Sequence, residues 1–207
     1  MEIKDRIKQK ADELYRRYGV KSVTMDEIAS QLGVSKKTIY HSFSDKNELV
    51  DAVVADMITY NRQCCKSSRT NAKDAVEEIF LGTETLYEIM SNMNPSFLFD
   101  IERGHPSVYK KFTAFKYEFL LRIIAENIER GKKEGFYRED INVSLISKIR
   151  IETLLLPFNE ELFPRNQYSF VKIQQEILEF FLFGMVNPVG YKLILKYQKE
   201  YSKKQQQ

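Results

Sequence analysis

The segment "SVTMDEIASQLGVSKKTIYHSF", residues 22–43, leaves the chain little conformational choice. Thr24, followed three residues later by Glu27, reads as a capping box: the hydroxyl accepts an orphan backbone N–H and the carboxylate reaches back to the cap. Ile28, Ala29 and Leu32 then supply the inner face of a helix of about two turns. Gly33 ends it, because the left-handed backbone of a helix stop suits a residue without Cβ. Val34 fills the corner, and Ser35 caps a second short helix, "KKTIYHSF". Small Ala29 lets the two helices approach, and Ile28, Leu32, Val34 and Ile39 share a core. Two short helices joined by a tight glycine turn make a helix-turn-helix.

Upstream, Ile3, Ile7, Ala11, Leu14, Tyr15 and Tyr18 recur at helical spacing, which predicts an amphipathic helix stopped by Gly19. Downstream, after Ser44 and Asp45, a further helix is expected from about residue 46 to 66, ending in the polar run "KSSRTNAKD". The expected organisation is a helix-turn-helix domain over 1–48, linked by that helix to a larger helical domain over 49–207. Composition shifts across the boundary. Of 26 Phe and Tyr residues only Tyr15, Tyr18, Tyr40 and Phe43 lie in the first fifty, so the second part holds enough aromatics to line a cavity or an interface. Helices are expected there over about 72–93, 95–103, 106–133, 142–157 and 168–200, broken at Gly- and Pro-containing stretches. The fold class is all-α, and the tail "YSKKQQQ" is expected to fray.

With a net charge of +3 the chain is no polycation, so affinity for nucleic acid needs a local patch. The charged N-terminus has no apolar signal core, and runs such as "FLLRIIAENI" and "EILEFFLFGMV" are too short or too charged to span a bilayer. No membrane partner and a cytoplasmic location are expected. Cys64 and Cys65 are adjacent and suggest no disulfide framework; whether they are redox-active depends on a lowered pKa that a sequence does not reveal. No metal site is expected, since His105 stands alone before Pro106 and His41 lies in the second short helix. No nucleophile–base pair, phosphate loop or carboxylate–His cluster is present, so neither an enzyme nor a cofactor is expected.

In a helix-turn-helix the second helix enters the major groove. Lys36, Lys37, Thr38, Tyr40 and His41 then form its outward face, with Ser35 at the cap, while Ile39 and Phe43 turn inward. Lysine donates to guanine acceptors, and threonine bonds a base or touches a thymine methyl. Thr24 and Lys46 open helices, where free amides and the dipole favour a phosphate oxygen. A Lys-Lys pair alone is usually a solvated face; caps, turn, buried triplet and basic outward residues together point to DNA. The stretch "GVKSVTMDEIASQLGVSKKTIYHSFSDKNELVDAVV" resembles the N-terminal domain of the TetR family of bacterial transcriptional regulators, over about residues 5–60. The resemblance implies a homodimer on a pseudo-palindromic operator, most often a repressor, released by a small ligand. Carried over by position, Lys36, Lys37, Thr38, Tyr40 and His41 match the recognition-helix contacts, and Thr24 and Lys46 the phosphate contacts. Ser42 departs from the family, where a larger aromatic residue or His often stands; it reaches a phosphate but covers less surface.

The last two long helices are the expected dimer surface, with Leu145, Ile149 and Leu156 on one stripe and Phe170, Ile173, Ile177, Phe180, Phe181 and Met185 on the other. Tyr87, Phe97, Phe99, Phe115, Phe119 and Arg150 are candidate ligand-lining residues, each also readable as ordinary core, and the effector they suggest is apolar or aromatic. Arg150, in the apolar run "KIRIETLLL", needs a partner if buried: the neighbourhood of Glu152, another helix, or an acidic ligand. Alternative readings are a helical protein-interaction adaptor, or an enzyme whose DNA-binding domain is incidental.

Overall fold

The computed structural model describes residues 2–90 and 93–204; the last three residues of the tail, and residues 91–92 within the helix expected over 72–93, lie outside that description. The helices are α1 Ile3–Tyr18, α2 Met25–Leu32, α3 Lys36–Ser42, α4 Lys46–Asn71, α5 Ala75–Met90, α6 Ser96–Gly104, α7 Pro106–Ala114, α8 Leu121–Lys133, α9 Val143–Thr153, α10 Phe170–Met185 and α11 Pro188–Lys204. The fold is all-α, an N-terminal three-helix helix-turn-helix domain joined to a larger helical part. Two compact units can be distinguished: Met1–Arg62 with Asn92–Phe115, and Gln63–Ser91 with Lys116–Gln207.

In the first unit, Ile7, Ala11, Leu14 and Tyr15 of α1 are buried, as are Ile28 and Ala29 of α2, Ile39 of α3, Phe43, and Leu49, Val50, Val53 and Val54 of α4. These are the positions that helical spacing turns inward, and each fully buried aliphatic side chain contributes about 1.5–3 kcal/mol of transfer free energy. The loop after α1 is held in several ways. The Asn94 amide donates to Arg16 O at 2.7 Å and the Lys21 amide to Asp100 Oδ2 at 2.9 Å. Gly19, at φ 82°, lies so close to α6 that a Cβ would sit 2.5 Å from Ser96 Oγ.

In the second unit the start of α5 is a hub. Asp74 accepts the amides of Val76 and Glu77 at 2.9 Å, and its other oxygen accepts the Tyr197 hydroxyl of α11 at 2.6 Å. The Ala75 amide donates to Glu134 at 2.8 Å, and the Ala75 carbonyl accepts from Asn127 at 2.9 Å and Tyr137 at 3.1 Å. Arg130 bridges Glu78 and Glu134 at 2.8 and 2.6 Å, so the buried Glu78 carboxylate has its countercharge.

Four helix boundaries differ from expectation. The polar run after residue 66 stays helical to Asn71, because Ser68 is buried and Arg69 reaches Glu126 at 2.7 Å. The span 106–133 is interrupted by a π-helical stretch, Phe115–Leu120, an i→i+5 closure that apolar spacing alone does not reveal. The helix expected over 142–157 ends at Thr153 and gives way to a 3-10 turn, Leu156–Phe158, because Pro157 disfavours the α conformation in the residue before it. The helix expected over 168–200 is two. Val186 is extended and forms an isolated antiparallel bridge with Tyr137, and Pro188 starts α11 under the Asn187 cap, whose Oδ1 accepts the Val189 amide at 2.9 Å.

Candidate nucleic-acid interface

Local chemistry builds α2, the turn and α3. The Thr24 hydroxyl accepts the Glu27 amide at 3.1 Å, and Gly33 adopts the left-handed conformation at φ 65°, ψ 33°. Ser35 Oγ accepts the Thr38 amide at 3.1 Å. The return half of the expected capping box is not formed: among the described residues the Glu27 carboxylate makes no bond to the Thr24 amide. Thr24 is exposed at this helix start, where an anion is favoured.

Ile39 and Phe43 are buried, and this fixes the outward face of α3. Lys36, Lys37, Tyr40 and His41 are exposed, Tyr40 to 50 %. Spacing of four sets Lys36 beside Tyr40 and Lys37 beside His41. Thr38 and Ser42 are half-buried and already engaged: the Ser35 and Thr38 hydroxyls are 2.8 Å apart, and Ser42 donates to Thr38 O at 3.1 Å. Lys37 and His41 have no partner among the described residues.

Three features of the site were missed by the sequence reading. Lys36 Nζ pairs with Asp26 of α2, and the hydrogen bond to that carboxylate raises the lysine pKa. Asp26 reads in the sequence only as an acid suited to a helix start, since the pairing crosses ten residues and a turn. Lys46 turns inward: its ammonium donates to Val20 O at 2.6 Å and lies 3.4 Å from Lys21 O, and burial lowers its pKa. Asp45 caps α4 by accepting the Glu48 amide at 2.9 Å, and Glu48 returns to the Ser44 amide at 2.7 Å. This reciprocal box was not anticipated, although Asp45 and Glu48 stand at the right spacing.

The candidate ligand-lining residues divide between the two units. Phe97 and Phe115 are buried in the first unit, and Phe99 is exposed there beneath the Arg103 guanidinium, 4.3 Å from its ring centroid. Tyr87, Phe119 and Arg150 belong to the second unit. Phe119 is half-buried with Arg122 5.8 Å over its ring, whereas Tyr87 and Arg150 each bury a polar atom, the hydroxyl and Nη1, that has no hydrogen-bond partner among the described residues. Burial pushes the Tyr87 hydroxyl up to about 12 and the Arg150 guanidinium down to about 10. A groove of about 460 Å³ between α1 and α4 is lined by charges that satisfy one another, with Lys8 on Asp56 at 2.7 Å and Arg16 on Asp12 at 2.9 Å. Cys64 and Cys65 are half-buried free thiols, and burial pushes Cys65 up to about 11, away from the reactive thiolate.

On the expected dimer helices, Leu145 and Ile149 of α9 are 55 % and 49 % exposed and Phe180 of α10 is 86 % exposed. Ile173 and Met185 of the expected α10 stripe instead face the core of their own unit. Phe170, Ile177 and Phe181 are half-buried, and Leu156 is half-buried in the 3-10 turn.

Residues 7–53 match the family of bacterial regulatory proteins, tetR family. The likeness to the TetR family is carried by this helix-turn-helix segment. Among its relatives, the HTH-type transcriptional regulator YvaF of Bacillus subtilis (strain 168) is 24 % identical over 168 residues, covering 79 % of this chain and 86 % of that protein. The biofilm operon icaADBC HTH-type negative transcriptional regulator IcaR of Staphylococcus aureus (strain Newman) is 20 % identical over 171 residues, covering 81 % and 86 %. The fold of a TetR-family transcriptional regulator from Marinobacter aquaeolei VT8 superposes with a TM-score of 0.75 at 16 % identity, over 97 % of this chain and 99 % of that one. A match confined to residues 7–53 covers the helix-turn-helix and the first turns of α4, the part whose spacing the sequence constrains most.

Proposed function

We propose that this TetR-family regulator is a homodimeric, ligand-responsive repressor that reads a pseudo-palindromic operator through the major groove. The observation that carries the reading is the division of α3: Ile39 and Phe43 are buried while Lys36, Lys37, Tyr40 and His41 share the exposed face. Lys36, Lys37 and Thr38, behind the Ser35 cap, read base edges. Tyr40, His41 and Ser42 contact backbone or flanking bases, and the helix starts at Thr24 and Lys46 hold phosphates. For Lys46 the contact is its backbone amide, because its ammonium is spent on Val20 and Lys21.

Residues 1–48 form the DNA-reading domain and 49–207 the regulatory and dimerisation domain. Exposed Leu145, Ile149 and Phe180 on α9 and α10 are the surface that a second copy covers, placing two α3 helices about one DNA turn apart. Repression rather than activation follows the negative regulator among the relatives. No catalytic role is assigned. A cytoplasmic location is in keeping with DNA binding, and no helix among the described residues is long and apolar enough to cross a membrane.

Selection of bound sequences from a random DNA pool by the purified protein tests the reading. The expected outcome is one enriched motif of two inverted half-sites, with affinity falling steeply as salt rises. No enrichment, or unchanged affinity in the double variant Lys36→Ala, Lys37→Ala, would refute it.

A further inference from the structure

Arg150 of α9 is 6 % exposed, and its Nη1 is buried with no hydrogen-bond partner among the described residues. Its guanidinium lies over the Phe181 ring of α10, 5.0 Å from the guanidinium carbon to the ring centroid. The acid two residues along is already committed: Glu152 accepts Lys116 at 2.8 Å and the Tyr117 hydroxyl at 2.7 Å. On the neighbouring helix, Gln174 donates to Leu154 O at 2.8 Å, and Glu179 accepts from Gln198 at 3.0 Å. Tyr87 of α5, close enough for its charge state to be felt at Arg150, likewise buries a hydroxyl that has no hydrogen-bond partner among the described residues. An interior cation without a counterion, beside an unsatisfied hydroxyl, is among the costliest arrangements a protein core can hold. Even with burial lowering its pKa to about 10, the guanidinium remains charged at neutral pH.

We propose that the second unit binds an anion on an apolar body, its carboxylate or phosphate held by Arg150 and the Tyr87 hydroxyl and its body lying against Phe181. Both protein groups donate, and a carboxylate or phosphate only accepts, so the donor set matches an anion and rejects an amine. The proposal rests on reading this unit as the effector-binding part of a regulator, and it narrows the effector from apolar to apolar and acidic.

The test compares octanoate, octyl phosphate and octanol on the purified full-length protein, wild type against Arg150→Met and Tyr87→Phe, by calorimetric titration and thermal melting at fixed ionic strength. At least one anion is expected to bind tenfold or more tightly than octanol, and the better of the two identifies the headgroup. Arg150→Met is expected to abolish that preference and Tyr87→Phe to reduce it. Without ligand, Arg150→Met is expected to melt about 2–4 °C higher than wild type, because it removes an uncompensated charge. The proposal is overturned if octanol binds as tightly as both anions, if none of the three binds, if Arg150→Met keeps the preference, or if it melts below wild type. DNA-site selection on the same preparations separates the two readings. Anion preference without DNA binding sinks the regulator and leaves this site standing; DNA binding without anion preference does the reverse.

Discussion

Replacing Phe180 with Ser tests the proposed dimer surface with little disturbance of the protomer. The side chain is 86 % exposed, so the fold loses almost none of its packing, and the protomer's stability should change by no more than about 0.5 kcal/mol. In an isologous interface each substitution occurs twice. Burying one Phe is worth about 1.5–3 kcal/mol, so two copies contribute about 3–6 kcal/mol to association. At a tenfold change per 1.4 kcal/mol, Phe180→Ser is expected to weaken dimerisation by roughly 10² to 10⁴. Sedimentation equilibrium over a dilution series measures this, with far-UV circular dichroism to confirm that the helices persist. A dimerisation constant within threefold of wild type, in a folded variant, would show that Phe180 lies outside the interface and that α10 pairs with no second copy through this face. Ile149→Ser should weaken association in the same direction and by less, since Ile149 is already 51 % covered within its own protomer.

Three further perturbations address other parts of the molecule. Asp26→Asn removes the carboxylate that holds Lys36, and is expected to tighten operator binding roughly two- to fivefold and to steepen its salt dependence; unchanged affinity in a gel-shift titration would show that Lys36 does not reach DNA. Gly131→Ala puts a Cβ 2.2 Å from the fully buried Tyr137 ring, whose hydroxyl bonds Ala75 and Asn127. Overpacking and distorted hydrogen bonds, less the gain in helix propensity, should destabilise by about 2–4 kcal/mol and lower Tm by about 5–15 °C; an unchanged melting curve would refute the packing argument. His105, hydrogen-bonded to Asn47 and held below its ordinary 6.5 by burial and then by the Lys46 ammonium, binds fewer protons folded than unfolded. Stability should therefore fall as pH drops through 6.5 toward the lower folded value and then level off. Tm measured against pH should show a smaller acid-side loss in His105→Gln than in wild type.

The helix-turn-helix was legible because its determinants are local: Thr24, Gly33 and Ser35 each act on residues within a turn, and Ile28 and Ile39 announce the buried side by spacing alone. What stayed hidden depends on partners far along the chain. Nothing in "DEIAS" or "KKTIY" says that Asp26 and Lys36 meet, nor does a lysine at a helix start reveal that it folds back onto Val20 and Lys21. Asn187-Pro188 was a readable stop inside an apolar run, and the length of that run obscured it. The bridge from Val186 to Tyr137, which makes the break necessary, joins residues 49 apart. Arg150 stood out in the sequence as a charge needing company, and it took the positions of Lys116 and Tyr117 to remove Glu152 from consideration.

The hub at the start of α5 bears on how the chain assembles as it is synthesised. Its bonds join residues 52, 59, 62 and 123 positions apart, and the longest of them ties Asp74 to Tyr197. Residues 74–78 leave the ribosome early, but their partners on α8 and beyond arrive much later and the last comes with α11. Until then the nascent second unit carries Asp74, Glu77 and Glu78 as a cluster of like charge. The three-helix domain, whose core contacts are short in sequence, waits only for Asn94 and Asp100 to hold the loop after α1. Its folding can be complete while the second unit is still missing the strand of chain that closes its most connected point.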